Sequence, residues 1–269
     1  METLDESIYD HPKYYDLVFG ADCASETRFI MECGHWYADG AVGKKSPSKW
    51  RMLEPACGTG RLLNAFARKG HTVAGLDLNP KAVEFCNARF ARGGFPSSAF
   101  VADMSDFTVN KPYDIAFNTI NSFRHVASER AAKAHLDCMA DAIRPGGLYL
   151  LGIHLTPTMG VPSETESWSA RRGHLAINTH MWTISREPKK RIERFGIRFD
   201  VHTPQRSFRI NDVLVLRSYT KPQMERLIKS SPAWEIADTF DFAYDIDEPI
   251  DVDASTEDVV YVLRRKPQA

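Results

Sequence analysis

A glycine-containing turn between a strand and a helix constrains the fold of this chain more than any other feature of its sequence. Residues 54–60 read Glu-Pro-Ala-Cys-Gly-Thr-Gly and follow the apolar pair Met52 and Leu53. Gly58 and Gly60 allow positive φ angles, and they let backbone N–H groups approach a ligand closely. Because such turns are also common as structural punctuation, the neighbouring segments decide whether this one binds a ligand.

Strands and helices alternate on both sides of the turn. Apolar strand segments are predicted at 51–53, 72–76, 100–102, 113–117 and 148–154, and helical segments at 61–69, 81–90 and 129–143. A helix capped by Thr220 and strands at 233–242 and 258–264 end the chain. This alternation predicts an α/β fold with a doubly wound, mostly parallel sheet covered on both faces. Ligands on such sheets bind at the carboxyl ends of the strands.

Two further regions lie outside this alternation. Residues 1–50 contain Tyr14, Tyr15, a predicted helix at 25–37 and a linker-like stretch from Gly40 to Pro47, and they predict an N-terminal helical lid. Residues 161–217 favour strands and predict an inserted antiparallel β patch. The main domain is therefore expected at 51–160 and 218–269.

The residues around the turn indicate the class of its ligand. A dinucleotide-binding loop has a third glycine where this chain has Leu63, and the Gly-Lys-Ser/Thr of a phosphate-binding loop is absent. Asp77 and Asp103 follow the next two strands, where a carboxylate can accept hydrogen bonds from ribose hydroxyls or from an exocyclic amine. The alternative for Asp77 is an N-cap or turn role, and the alternative for Asp103 is a role at the start of a loop. Together these features indicate an adenosine-containing ligand without a pyrophosphate.

The ordered motifs resemble those of the class I, Rossmann-like S-adenosylmethionine-dependent methyltransferases. The similarity rests on segments 54–60, 113–118 and 144–148 together with Asp77 and the pair Asp103-Met104, and it extends to 220–265. The resemblance implies a seven-stranded sheet and S-adenosylmethionine as cofactor. The residues that it places at the cofactor are Tyr15, Glu54, Ala56, Cys57, Gly58, Gly60, Asp77, Leu78, Asp103, Met104 and Asn118. Ala56 stands where the family usually has its first glycine.

The acceptor side of the predicted site contains histidines. His154 ends the fifth strand and is a candidate general base or acceptor ligand, with a structural role as the alternative. Arg124 and His125 are candidates to line the same cleft, although a helix-capping role is equally consistent. The insertion resembles that of glycine, sarcosine and amino-sugar N-methyltransferases, where it covers the acceptor or forms a dimer contact. This similarity implies N-methylation of a small molecule; the alternatives are O-methylation, a non-catalytic cofactor-binding sensor and a nicotinamide-dependent oxidoreductase.

Composition narrows the partners and the compartment. The formal net charge is −1, from 34 basic and 35 acidic residues, and it argues against a nucleic-acid partner. Apolar stretches such as 148–155 are far shorter than a membrane span, and the N-terminus does not read as a secretory signal. Five scattered cysteines indicate neither a disulfide framework nor a metal site. We therefore expect a cytoplasmic enzyme with a small-molecule partner. If the insertion forms a dimer contact, the enzyme is a homodimer.

Overall fold

A computed structural model describes residues 1–20, 23–38, 49–160 and 164–267. The predicted linker Gly40–Pro47 lies outside these residues. In chain order the elements are β1 (Glu2–Asp5), a 3-10 turn (Ile8–Asp10), α1 (Pro12–Phe19), α2 (Ala24–Tyr37), β2 (Arg51–Pro55), α3 (Arg61–Arg68), β3 (Thr72–Asp77), α4 (Pro80–Arg92), β4 (Ala99–Val101), β5 (Tyr113–Asn118), a 3-10 turn (Ser122–His125), α5 (Glu129–Ala142), β6 (Ile143–His154), β7 (Thr165–Arg172), β8 (Leu175–Glu187), β9 (Ile192–His202), β10 (Ser207–Arg217), α6 (Lys221–Ser230), β11 (Trp234–Phe240) and β12 (Asp258–Arg265).

The central sheet has seven strands in the order β11-β12-β6-β5-β2-β3-β4. The five neighbouring strands β6, β5, β2, β3 and β4 pair in parallel, whereas β12 is antiparallel to both β6 and β11. The middle strands β5 and β6 are buried on both faces, and an apolar cluster packs on each side of the sheet. The predicted fold class, a doubly wound and mostly parallel sheet, is confirmed.

A second sheet is built from the predicted insertion. Its order is β1-β10-β9-β8-β7, and its strands pair antiparallel except for β1, which lies parallel to β10. The partnership of Glu2 with Phe208 joins residues that are far apart in the chain. The first described residues thus form a strand of the insertion sheet, whereas α1 and α2 are helices.

Local signals explain where the helices begin. The Asn79 side chain accepts hydrogen bonds from the backbone N–H groups of Lys81 (2.8 Å) and Ala82 (3.4 Å), and Pro80 occupies the first helical position of α4. At the start of α6, the Thr220 N–H donates to Oε1 of Gln223 at 2.9 Å. Helix α6 therefore starts at the predicted cap Thr220, whereas Asn79 is a cap that the sequence did not predict. Among the described helices, none is long and apolar enough to cross a membrane.

A buried histidine joins α5 to the loop after β4. His135 is fully buried; its Nδ1 lies 2.8 Å from the Met104 carbonyl oxygen, and its Nε2 lies 2.8 Å from the Tyr149 hydroxyl. Burial lowers the pKa of His135 to about 4. The neutral ring can donate to the carbonyl at one nitrogen and accept from the hydroxyl at the other. His135 thus supports the backbone beside Asp103.

We predict that His135 contributes a pH-dependent part of the stability. Because its pKa is lower in the folded protein than in the unfolded chain, the unfolded state binds more protons between pH 6.5 and pH 4. Stability from His135 is therefore complete above about pH 6.5 and is lost as the pH falls towards 4, by about 3 kcal/mol. Urea unfolding at several pH values should show a smaller acid loss in His135→Gln than in the unsubstituted protein.

An equal acid loss in His135→Gln and in the unsubstituted protein would contradict the prediction.

Candidate functional site

A cavity of about 1200 Å³ lies where the central sheet, the N-terminal segment and the insertion sheet meet. Its wall includes the turn after β2, the ends of β3, β4 and β6, the segment Ser7–Asp10 and one face of β8 to β10. Ligand sites in proteins commonly measure about 300–1,000 Å³. The cavity therefore has room for two small molecules side by side.

The glycine turn has an unusual backbone. Ala56, Gly58 and Gly60 all have positive φ angles, of 52°, 51° and 70°. A side chain at Gly60 is excluded because its Cβ would lie 2.2 Å from the Cys86 sulfur, whereas no atom lies within 4 Å of the corresponding position at Gly58. Gly60 therefore serves the packing of the turn on α4, and Gly58 leaves open space at the cavity wall.

Asp77 lies beside this open space and lines the cavity. Its two carboxylate oxygens accept hydrogen bonds from the N–H groups of Gly58 (2.8 Å) and Asn79 (2.9 Å). Burial raises the pKa of Asp77, while those backbone N–H groups oppose the rise. A carboxylate held in this way has remaining lone pairs for hydroxyl donors from a ligand. The exposed side chain of Leu78, at 70% exposure, adds an apolar surface next to it.

Asp103 and Met104 also line the cavity, at the end of β4. The Asp103 carboxylate accepts a hydrogen bond from the Ser105 N–H at 2.7 Å and is otherwise exposed. Thus Asp77 and Asp103 face the same hollow from two adjacent strands, the arrangement that the sequence predicts. Both aspartates also accept local turn hydrogen bonds, as the alternative interpretation predicts. The two roles are compatible, because one carboxylate has lone pairs for a turn N–H and for a donor group of a ligand.

Four residues placed at the cofactor by the sequence do not form the cavity wall: Glu54, Cys57, Gly60 and Asn118. Asn118 is buried and donates from Nδ2 to the Pro55 carbonyl oxygen at 2.9 Å, so it braces the start of the turn. Cys57 is buried against Cys86. Burial raises the pKa of Glu54. These residues support the turn from behind.

Two buried carboxylates hold the turn from the N-terminal side, and sequence reasoning missed both. Asp16 of α1 accepts a hydrogen bond from the Thr59 hydroxyl at 2.9 Å and pairs with Arg89 of α4. Glu26 of α2 accepts from Nη2 of Arg61 at 2.7 Å and from the Thr119 hydroxyl at 2.8 Å. Their sequence signal is weak, because acidic residues on a helix are usually solvated.

Tyr15, predicted to close over the cofactor, lines the cavity. Burial raises its pKa to about 12, so the hydroxyl stays protonated. Its ring packs 5.4 Å from that of Tyr9 and 4.6 Å from that of Phe19, whereas Tyr14 packs on Phe208 of the insertion sheet. Tyr15 thus faces the site, and Tyr14 anchors the N-terminal segment.

His154 lines the cavity at the end of β6, and its Nδ1 pairs with the carboxylate of Asp258 on β12. The imidazole also packs against Phe242, with ring centroids 5.1 Å apart. The partner residue follows from strand register, since Asp258 lies opposite His154 in the β6–β12 pair. His154 is therefore an oriented imidazole at the cavity wall.

A second imidazole, His125, lines the same cavity together with Tyr9. The Tyr9 hydroxyl oxygen lies 2.9 Å from Nε2 of His125. Burial, and then the neighbouring Arg124, lower the pKa of His125, so the ring is neutral near pH 7. Sequence reasoning placed His125 at the cleft but missed Tyr9, which is 116 residues away in the chain.

Arg124 joins the two sheets at the cavity wall. It is buried, pairs with Glu193 of β9, and donates from Nε to the Arg217 carbonyl oxygen at 2.9 Å. Glu193 also accepts from the Thr156 hydroxyl at 3.0 Å. Within the described ranges, no three His, Cys, Asp or Glu side chains are grouped so as to hold a metal ion.

Comparison with known proteins identifies this arrangement. Residues 52–147, which contain the glycine turn, Asp77 and Asp103, match the methyltransferase domain family. This part of the chain is a methyltransferase domain of the class I, Rossmann-like type. A methyltransferase structure from Clostridium acetobutylicum, described as S-adenosylmethionine-dependent, superposes with a TM-score of 0.75 and 17% identity, over 96% of this chain and 98% of that one. The methyltransferase domain and its insertion therefore share that overall fold.

Two curated relatives are similar in sequence. The chain is 24% identical over 145 residues to a dTDP-3-amino-3,4,6-trideoxy-alpha-D-glucopyranose N,N-dimethyltransferase of Streptomyces venezuelae, covering 53% of this chain and 56% of that protein. It is 23% identical over 212 residues to a dTDP-4-amino-2,3,4,6-tetradeoxy-D-glucose N,N-dimethyltransferase of Saccharopolyspora spinosa, covering 74% and 76%. The match spans little more than half the length of the first relative.

The positive φ angle of Ala56 predicts how its replacement by glycine changes the stability of the methyltransferase domain. A left-handed conformation costs an L-residue about 1–2 kcal/mol, and glycine loses about 0.5–1 kcal/mol of backbone entropy on folding. Ala56→Gly should therefore stabilise the protein by about 0.5–1 kcal/mol in urea unfolding. Ala65→Gly, inside the right-handed helix α3, is the matched control and should destabilise it. Equal destabilisation by both substitutions would contradict the prediction.

Proposed function

We propose that the protein is an S-adenosylmethionine-dependent methyltransferase that methylates an amine of a small molecule. One observation carries the proposal: the open Gly58 turn and the Asp77 carboxylate face the same cavity of about 1200 Å³ as the histidines His125 and His154. A cofactor end and an acceptor end therefore share a single cavity. The names of the two curated relatives, both amino-sugar N,N-dimethyltransferases, support an amine acceptor.

The residues at the cofactor end fit the proposed cofactor. Asp77 has the lone pairs for ribose hydroxyls, and Leu78 and Met104 supply apolar surfaces for a purine ring. Asp103 offers an exposed carboxylate to an exocyclic amine, and the open wall at Gly58 admits the methionine part. When bound, the cofactor supplies a methyl carbon on a cationic sulfur, so that the amine lone pair forms the new N–C bond while the S–C electron pair returns to sulfur.

The chain's own residues contribute orientation, a dry cavity and a proton acceptor. Because the leaving group is already activated, placing the amine in line with the methyl carbon supplies most of the acceleration. An amine also has to lose a proton, either before or after transfer. The neutral His125, held by the Tyr9 hydroxyl, is placed to take that proton. His154, oriented by Asp258, is the base proposed from the sequence.

The domain division and the compartment belong to the same proposal. Residues 51–160 and 218–269 hold the cofactor, residues 161–217 cover the acceptor, and the N-terminal helices close over the site. Within the part of the chain that the structure describes, no two cysteines are joined by a disulfide, which supports a reducing compartment, and we propose the cytoplasm. The alternative role of the insertion as a dimer contact stays a prediction.

We predict that Asp77→Ala weakens S-adenosylmethionine binding. The loss should be about 1.5–3 kcal/mol for each charge-assisted hydrogen bond removed, measured by isothermal titration calorimetry. Asp106→Ala removes an exposed aspartate that lies outside the cavity wall, and it should bind the cofactor as the unsubstituted protein does. If Asp77→Ala kept full affinity, the ribose would have to be held elsewhere.

We predict that removing the proton acceptor lowers turnover more than cofactor affinity. His154→Ala and His125→Ala are compared by steady-state kinetics, with cofactor affinity measured separately. The variant that lacks the base should lose about 10²–10⁴-fold in kcat. If His125 is that base, the acid limb of kcat/KM lies below pH 6.5, because its pKa is lowered. Unchanged kcat in either variant excludes that histidine.

A further inference from the structure

The acceptor end of the cavity is walled by apolar side chains of the insertion sheet. Alternate residues of β7 to β10 point to this inner face, and neighbouring strands place them together: Met181 pairs with Ile197, and Phe195 pairs with Leu214. The apolar residues of the insertion that line the cavity are Trp168, Met181, Phe195, Ile197, Leu214 and Leu216. The wall is continuous because these side chains come from four adjacent strands.

Several of these side chains keep part of their surface exposed within the cavity. Trp168, Met181, Phe195 and Leu214 are only partly buried, whereas Phe199 and Val201, further along β9, are fully buried. Binding is favoured when an apolar ligand replaces water against an apolar cavity wall. The uncovered wall therefore favours a ligand with a substantial hydrocarbon part.

The charges along the whole cavity disfavour an anionic ligand. Six acidic residues line it, Asp10, Asp77, Asp103, Glu166, Glu193 and Glu257, against three basic ones, Lys81, Arg124 and Arg186. Lys81 pairs with Asp10 at 3.1 Å, Arg124 pairs with Glu193, and Arg186 donates to the Thr183 hydroxyl at 3.1 Å. A diphosphate is normally bound by several cationic or backbone donors. Apart from Asp77 and Asp103, which belong to the cofactor end, the described wall still has one carboxylate more than it has cationic side chains.

From this wall we infer that the acceptor is an apolar amine without a phosphate group, which lies with its hydrocarbon part against the inner face of the insertion sheet. The inference rests on the proposed function and narrows its substrate class. It sets the protein apart from the two curated relatives, whose names specify dTDP-linked amino sugars. The acidic excess also suits the ammonium form in which an amine reaches the site at neutral pH.

The test measures transfer of a labelled methyl group from S-adenosylmethionine to two kinds of acceptor. One is a series of primary alkylamines from butylamine to decylamine, and the other is a thymidine-diphosphate-linked amino sugar. We expect kcat/KM to rise about three- to fourfold per added methylene until the chain fills the cavity. The diphosphate-linked sugar should react at least 100-fold more slowly than the best alkylamine.

A matched pair of variants locates the acceptor. Leu214→Ala shortens a side chain on the inner face, and Val213→Ala shortens its neighbour on the outer face, where Val213 is 52% exposed. For the best alkylamine, Leu214→Ala should raise KM about tenfold with cofactor affinity unchanged, and Val213→Ala should leave KM unchanged. Equal KM values in both variants would overturn the placement on the inner face.

The outcomes separate this inference from the proposed function. Faster transfer to the diphosphate-linked sugar than to every alkylamine overturns the inference and leaves the methyltransferase activity standing. Tight cofactor binding with transfer to neither kind of acceptor overturns both.

Discussion

Two buried carboxylates of the N-terminal helices hold the glycine turn on which the site is built. Asp16 is 1% exposed and contacts Thr59, and Glu26 is 5% exposed and contacts Arg61, so the two residues flanking Gly60 are both anchored. A buried carboxylate requires partners, since removing one partner of a buried pair typically costs about 3–5 kcal/mol. The N-terminal segment and the turn therefore stabilise each other, and a chain without this segment would leave the turn without these contacts.

Further contacts explain how the turn keeps an unfavourable backbone conformation. Three residues with positive φ within five positions would be unfavourable in an isolated peptide, and Ala56 carries a Cβ in that conformation. The Cys57 N–H donates to the Leu76 carbonyl oxygen at 2.9 Å, and Gly60 packs on Cys86. Contacts to β3 and α4 thus hold a conformation that exposes the turn to the cavity.

The cavity results from the meeting of two sheets with different properties. The central sheet provides hydrogen-bonding groups at its carboxyl edge, because parallel strands end there and loops begin. The insertion sheet provides an apolar face, since its antiparallel strands alternate inward and outward residues. Arg124 and Glu193 connect them through a buried ion pair, and the Tyr9–His125 pair lies at the same junction. Neither sheet alone forms the cavity, because residues of both line it.

Local patterns in the sequence determined the central domain. The strand and helix periodicity, the cap Thr220 and the glycines of the turn act within a few residues, so the sequence predicts β2 to β6 and α3 to α6 closely. The observed boundaries differ from the predicted ones where strand pairing extends a strand. Strand β6, for example, begins at Ile143, because Ile143 pairs with Tyr113 of β5. Asp77, Asp103 and His154 were placed at the site because the ends of parallel strands share one edge.

Only the tertiary structure decided which distant residues complete the site. The pairing of β1 with β10, the contacts of Asp16 and Glu26, and the position of Tyr9 beside His125 join segments that are separated by tens to hundreds of residues. No local periodicity encodes such contacts, because each depends on how packed elements meet. The apolar inner face likewise becomes part of a cavity wall only through the way the two sheets and the N-terminal segment pack together.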